Sequence, residues 1–443
     1  MEMVSETAQF DSPMPHSKYA PVYPMLDQFE LWNPLRYTSG QPWNFFHQMR
    51  EQAPVMWQSV GKKHAGFWSL SSYEDIQAAE LQPEIFSSQA GAINLVVGPR
   101  KEWKHVRLTE AALNSLINLD KPFHMKVRLQ QKEFFKPSFV AELGEKVAVK
   151  VDQLLDDLER RGPVVDFVKH FTEKLPVFTL CEMLGVDEAD RPRIIEWMHY
   201  LERAQLFTVA PWRSLLSEPS FPFKFKPKVS EMFEYGEAMF TDRRANPRGD
   251  LLSAIANSQL DGEPFPLKFW DGSWLLIIFA GNDTTRNSLS GTMRLLTQFP
   301  DQKQAVLDNP DLLTDMLQEA LRLTSPVIHM RRTATQDTHI RDQKIAAGEK
   351  VVFWYGAGNR DPSVFPDPDR MDLTRDNVAR HLAFGYGPHN CLGNRVALMQ
   401  MRIAYSKILE RFPNIEWTGK QTIAPNSFVH AVSSLTVNLY GKR

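Results

Sequence analysis

The sequence predicts a mainly helical fold with a smaller β portion, and three observations carry that expectation. Val140, Leu143, Val147, Val151, Leu154, Leu155 and Leu158 recur at three- and four-residue spacing, with similar patterns through residues 168–184 and 189–206, as the buried face of a helix requires. Pro266 and Pro300 bracket a long stretch; proline is tolerated in a first helical turn and stops a helix that reaches it, so one long helix should fill the interval. β-prone runs are short and few, at residues 55–60, 66–70 and 351–354.

Taken in order, the first forty residues are rich in proline, serine, tyrosine and acidic side chains and lack the apolar or basic run of a signal or membrane anchor. Residues 55–60 and 66–70 flank a Gly-Lys-Lys-His turn and read as a hairpin. From about residue 120 the pattern is helical. At 1.5 Å per residue the interval between Pro266 and Pro300 spans about 50 Å, the width of the whole molecule. Its most apolar stretch, residues 274–280, is too short to cross a bilayer and reads as buried helix. Further helices are expected at 310–324 and 392–411, with a Pro- and Asp-rich loop at 361–372. The expectation is one domain over residues 1–443, β-rich mainly at about 30–85 and 325–355 and helical elsewhere.

Composition narrows the function classes. With 443 residues, 43% hydrophobic, 23% charged and a formal charge of -2, the chain has no bulk affinity for nucleic acid. Two cysteines, Cys181 and Cys391, argue against a disulfide framework and favour a reduced, cytoplasmic setting.

Three constellations carry chemistry. Cys391 lies in F-G-Y-G-P-H-N-C-L-G, from Phe384 to Gly393. A thiolate on an open iron pushes electron density onto the metal and supports oxygen activation; Gly385, Gly387 and Gly393 would let the backbone turn tightly and approach a flat macrocycle. The plain alternative is a glycine-rich turn with a buried thiol. In the long helix, Ala280, Gly281, Asn282, Asp283, Thr284 and Thr285 interrupt an apolar run with residues that disfavour helix, Gly by about 1 kcal/mol relative to Ala. Thr284 can bond the carbonyl of Ala280 and open room beside the helix, and an acid beside an alcohol suits proton delivery. A kink or a small-residue helix contact is the competing account. Glu319 and Arg322 share a helix face, while Arg332, His124 with Arg128, and His389 are candidate cationic partners for carboxylates.

Together these segments resemble the cytochrome P-450 superfamily, the heme-thiolate monooxygenases, and specifically its soluble bacterial members. His124 and Arg128 match H-x-x-x-R, residues 280–285 A-G-x-D-T-T, Glu319 and Arg322 E-x-x-R, Arg332 the arginine before A-x-x-D, and Phe384 to Gly393 the heme-binding loop. The resemblance implies a triangular helical fold with heme b (iron protoporphyrin IX) between the central helix and the helix after Cys391, its iron ligand. It also implies a third partner for Glu319 and Arg322, for which Arg375 is chosen although Met371 stands where phenylalanine is common. The implied reaction inserts one oxygen atom from O2 into a C–H bond of a hydrophobic substrate, an alkane or fatty acid, a terpenoid or a steroid. Asp283 would relay protons and Thr284 hold a hydrogen-bonded water.

Electrons would come from NAD(P)H through ferredoxin reductase and ferredoxin, because the 52 residues after Cys391 leave no room for a fused redox domain. Lys136, Arg380, Arg395 and Arg402 are a candidate docking patch. By position the substrate pocket draws on Ile93, Leu95, Val96, Phe207, Leu276, Phe279, Val327, Ile328 and Val429. The apolar residues from Leu206 to Leu216, with Phe221, Phe223 and Phe225, read as a mobile aromatic lid. A monomer without a membrane anchor is expected. A peroxygenase or a non-enzymatic heme sensor are the alternatives; neither has use for the Asp283–Thr284 pair.

Overall fold

The computed structural model describes residues 29–60, 64–91, 93–95, 106–209 and 218–441. The first sheet gathers distant segments. β1 (Val55–Val60) and β2 (His64–Leu70) form the antiparallel hairpin, β2 pairs in parallel with β10 (Lys350–Trp354), β10 runs antiparallel to β7 (His329–Ala334), and β7 pairs with β3 (Phe86–Ser87) at the edge. Two helices lie within this early stretch: α1 (Trp43–Gln52) and α2 (Tyr73–Glu80), the latter capped by the Ser72 hydroxyl on the Asp75 amide.

The helical portion follows. α3 (Val106–Leu113) and α4 (Phe123–Gln131) lead into α5 (Pro137–Arg161), which buries all seven apolar residues of its predicted face. β4 (Val164–Asp166) precedes one π-helical turn at Val168–Thr172, then come α6 (Lys174–Leu184) and α7 (Arg191–Val209). α8 (Phe221–Ala245) and α9 (Leu251–Ala256) lead to a small hairpin, β5 (Gln259–Leu260) with β6 (Glu263–Pro264). α10 (Leu267–Gln298) has 32 residues, about 48 Å of helix, and packs against α3, α6, α8 and also α12 (Leu313–Thr324), which follows α11 (Pro300–Asp308). The hairpin of β8 (Thr338–Ile340) and β9 (Gln343–Ile345) joins β7 to β10. After the short α13 (Tyr355–Gly358), α14 (Asn394–Arg411) packs along α5.

Two elements depart from the sequence expectation. Phe221, Phe223 and Phe225, read as part of an aromatic lid, open a regular helix, α8, with Phe221 buried and Phe223 83% exposed. Pro222 and Pro227 obscured this helix. Pro222 falls in the first turn, where an amide has no partner to lose, and the cost of Pro227 is offset by burial of Val229, Met232, Phe233 and Phe240. The rest of the predicted lid, residues 210–216, lies outside the described residues, as do the side chains of 206–209. The second departure is a sheet in the region expected to be helical: β11 (Glu416–Ile423) and β12 (Val432–Asn438) pair antiparallel, and β4 joins β12. β11 is mostly polar, half-exposed and broken by Gly419, so it lacks the clean apolar alternation that marks a strand.

Candidate active site

The cysteine loop is shaped by its glycines and closed by its own backbone. Gly385 and Gly387 sit at φ 66° and 64°, and a Cβ on Gly387 would stand 2.7 Å from the Glu80 carbonyl oxygen; only glycine adopts that conformation in that space without strain. The Cys391 amide donates to the Phe384 carbonyl at 2.9 Å, and the Asn390 side chain donates to that of Gly385 at 3.0 Å. Gly393 differs: its φ is -88°, so no left-handed turn is needed there, and its role is to bring an N–H to the sulfur. The thiol is exposed to a water-sized probe, yet burial raises its pKa, opposed by the Gly393 amide and the Arg128 guanidinium. Open at short range and enclosed at long range, Cys391 faces an interior hollow.

Ala280 and Gly281 show the same signature on α10, where both are exposed although Asn282, Asp283 and Thr285 beside them are buried. Cys391 and the small residues Ala280 and Gly281 are thus both left uncovered by their neighbours, as a flat group lying against each would require. Along the rim of the hollow stand Arg128 on α4 and Arg332 on β7, with the rings of His124 and His389 at 4.1 Å between centroids. Burial first, then the nearby arginines, push His124 down to about 4 and His389 to about 2. Nδ1 of each ring is buried without a partner. Two guanidiniums and two orphaned imidazole nitrogens converging on one place fit an anionic group, so the residues present fit a heme with its two propionates.

On the α10 side, the Thr284 hydroxyl donates to the Ala280 carbonyl at 2.8 Å, the bond expected from the sequence. Asp283 turns the other way, 2% exposed, accepting from the Asn282 amide at 3.0 Å. Arg286 Nη2 lies 2.6 Å from Glu202 of α7 and 3.5 Å from Asp283. Burial above all, and then the Glu202 carboxylate, hold the Asp283 carboxyl well above its ordinary range despite Arg286. Glu202 was not found by sequence reasoning, since it lies on another helix with no local signal. Arg286 was not found either, although its place three residues after Asp283 on the same helix face is a signal that could have found it.

Away from the hollow, Glu319 and Arg322 are fully buried and doubly bonded, at 2.6 and 3.0 Å. The remaining Arg322 donors reach the carbonyls of Asn359, Pro368 and Arg370, and Arg375 Nε stands 3.4 Å from Glu319. Four groups from the 359–375 loop therefore converge on one helix turn, and none faces Cys391.

The apolar candidates divide. Ile93, Phe279 and Val429 pack together with Phe428, and Val327 bridges to Val429. Ile328 and Leu95 instead pack with Val352 and Trp354 in another cluster; successive strand residues face opposite sides, so Val327 and Ile328 cannot both face the pocket. Leu276 is partly buried against the main core. Val96 and the Phe207 side chain lie outside the described residues. His329, a polar group amid these segments, is already committed: Nδ1 donates to the Ser427 carbonyl at 2.8 Å, which leaves Nε2 to accept the Leu95 amide at 3.1 Å.

A family model for cytochrome P-450 matches residues 28–432. Linalool 8-monooxygenase of Pseudomonas putida is 33% identical over 423 residues, covering 94% of this chain and 100% of that protein. Steroid C26-monooxygenase of Mycolicibacterium smegmatis is 30% identical over 92% of this chain and 95% of its own length. Among solved structures, a Mycobacterium marinum cytochrome P-450 in complex with pseudoionone superposes with a TM-score of 0.83 at 30% identity, covering 94% of this chain and 99% of that one.

Proposed function

The chain belongs to the cytochrome P-450 family of monooxygenases, and from that premise we propose that it hydroxylates an apolar, terpenoid-like substrate on a heme b ligated by Cys391. The observation that carries this reading is the uncovered Cys391 thiol in enclosed surroundings beside Arg128, together with the uncovered Ala280–Gly281 stretch that leads into Asp283 and Thr284 on α10. The bound heme supplies the iron at which dioxygen is activated.

Every other role falls to the chain. Arg128, Arg332, His124 and His389 anchor the propionates, and the Gly393 amide tempers the thiolate. Thr284 uses its hydroxyl hydrogen on Ala280, so its oxygen is left to accept from a water in the hollow. Asp283, whose ionisation is disfavoured by burial, is the acid placed to pass a proton toward that water. Glu202 shares Arg286 with it and is 20% exposed, which gives the buried acid a route to solvent. Neither a peroxide-driven enzyme nor a sensor would need this relay.

The substrate class rests on the lining. Ile93, Phe279, Phe428 and Val429 are apolar, and the committed nitrogens of His329 offer a ligand no hydrogen bond. Relatives named for linalool and for a steroid agree with an apolar ligand. Lys136, Arg380, Arg395 and Arg402 are all exposed and form the proposed landing site for a ferredoxin supplied through an NAD(P)H-dependent reductase. Among the described residues no helix is long and apolar enough to cross a membrane. The test is a spectral screen of the holoenzyme with alkanes, fatty acids, terpenes and steroids. A low- to high-spin shift strongest with terpenes is expected; a response confined to another class overturns the substrate assignment.

A further inference from the structure

Glu80 closes α2 directly behind the cysteine loop and is 5% exposed. Its Oε1 accepts the Tyr355 hydroxyl at 2.6 Å, and the Tyr386 amide also reaches the carboxylate. Arg332 Nη2 stands 3.9 Å away, too far for a hydrogen bond, and Oε2 has no partner. A carboxylate withdrawn from water needs a close counter-charge or it takes up a proton. Arg332 is a divided one, because the same guanidinium acts on His124 and His389 at the rim of the hollow.

We propose that Glu80 is a proton-exchanging positioning residue of the heme pocket, binding a proton as the heme gains an electron, so that Arg332 and the propionates keep their charge balance through reduction. This rests on the reading that Cys391 holds a heme. The step balances simply: one electron from a one-electron donor enters the heme, one proton from water adds to the Glu80 carboxylate, and no other bond changes. The groups facing Glu80 are Arg332 from β7, Tyr355 from α13, Tyr386 from the cysteine loop and Tyr73 from its own helix. Burial, opposed by Arg332, Tyr355 and the Tyr386 amide, sets the carboxyl at about 7, where small changes in pH move its proton. Reduction adds negative charge and favours the protonated form, so the reduction potential falls as pH rises.

The experiment is a dithionite titration of the substrate-free holoenzyme with redox mediators, followed spectroscopically between about pH 6 and pH 8.5. The potential of the wild type is expected to slope downward, with each tenfold change in proton activity worth at most about 59 mV for a one-electron couple. Glu80→Gln should flatten that slope. Tyr355→Phe removes a donor to the ionised carboxylate and should move the sloping range to higher pH; it carries the test if the glutamine variant holds heme poorly. A flat wild-type potential, or a slope that survives in Glu80→Gln, overturns the proposal and leaves the monooxygenase reading standing. A holoenzyme whose reduced CO complex lacks the thiolate signature would undo Cys391 ligation, and the proposal with it.

Discussion

At the scale of single residues, the site depends on groups whose environment contradicts their chemistry. Asp283 is a carboxylic acid whose ionisation is disfavoured by burial and by a second carboxylate nearby, and Thr284 is a hydroxyl whose donor is spent on its own helix. Thr284→Ala removes the water-holding oxygen but leaves heme, thiol and Asp283 in place. It should therefore consume reductant and release peroxide at the expense of product, read from the ratio of product to reductant consumed. Asp283→Asn keeps the shape but carries no transferable proton, and turnover should fall by about 10²–10⁴, the usual worth of a positioned acid. Both residues were legible in the sequence, because helix-breaking residues inside an apolar helix demand a reason. Glu80 and Glu202 were not: each is an ordinary helix-surface glutamate by pattern, and its burial is decided by segments more than 80 positions away.

At the scale of elements, α10 and α12 meet where Gly291 lies against Thr324. A Cβ on Gly291 would stand 2.4 Å from Thr324 Oγ1 and 2.6 Å from its Cγ2, so no rotation of the threonine makes room. Gly291→Ala gains helix propensity of about 1 kcal/mol and meets overpacking of about 1–3 kcal/mol. A net loss of stability is expected in urea denaturation, recovered when Thr324→Ala is added. The 359–375 loop is fixed differently, by carbonyls turned onto Arg322. Glu319→Gln leaves a buried guanidinium without its counter-charge, and about 3–5 kcal/mol should be lost, together with heme retention. The E-x-x-R spacing was plain in the sequence; that it points into the protein rather than to water was not.

At the scale of the whole molecule, four buried histidines, His124, His329, His381 and His430, and the half-buried His389 all have pKa values pushed well below 6.5, His329 and His381 to about 4 and His430 to about 3. The unfolded chain binds protons at these sites below 6.5 while the fold excludes them, so stability is fully present above 6.5 and is lost as pH falls toward 4. Glu80 and Asp283, carboxyls raised by burial, and His199, raised by Glu173, act in the opposite sense, but as three groups against five imidazoles. Urea midpoints should drop steeply between about pH 6.5 and pH 4.5, and less steeply in His329→Gln, which replaces one of the five with a group that does not titrate. By itself the sequence determined the helical class, the long central helix, the hairpin and the positions of Cys391, Asp283 and Thr284, because periodicity, proline placement and residue chemistry are local properties. Only the tertiary structure decided that the Cys391 thiol opens onto an enclosed hollow, that Ile328 turns away from Val429, and that Glu80 shares Arg332 with two histidines. Burial and charge pairing are made by segments distant in the chain, and no local pattern encodes which of them meet.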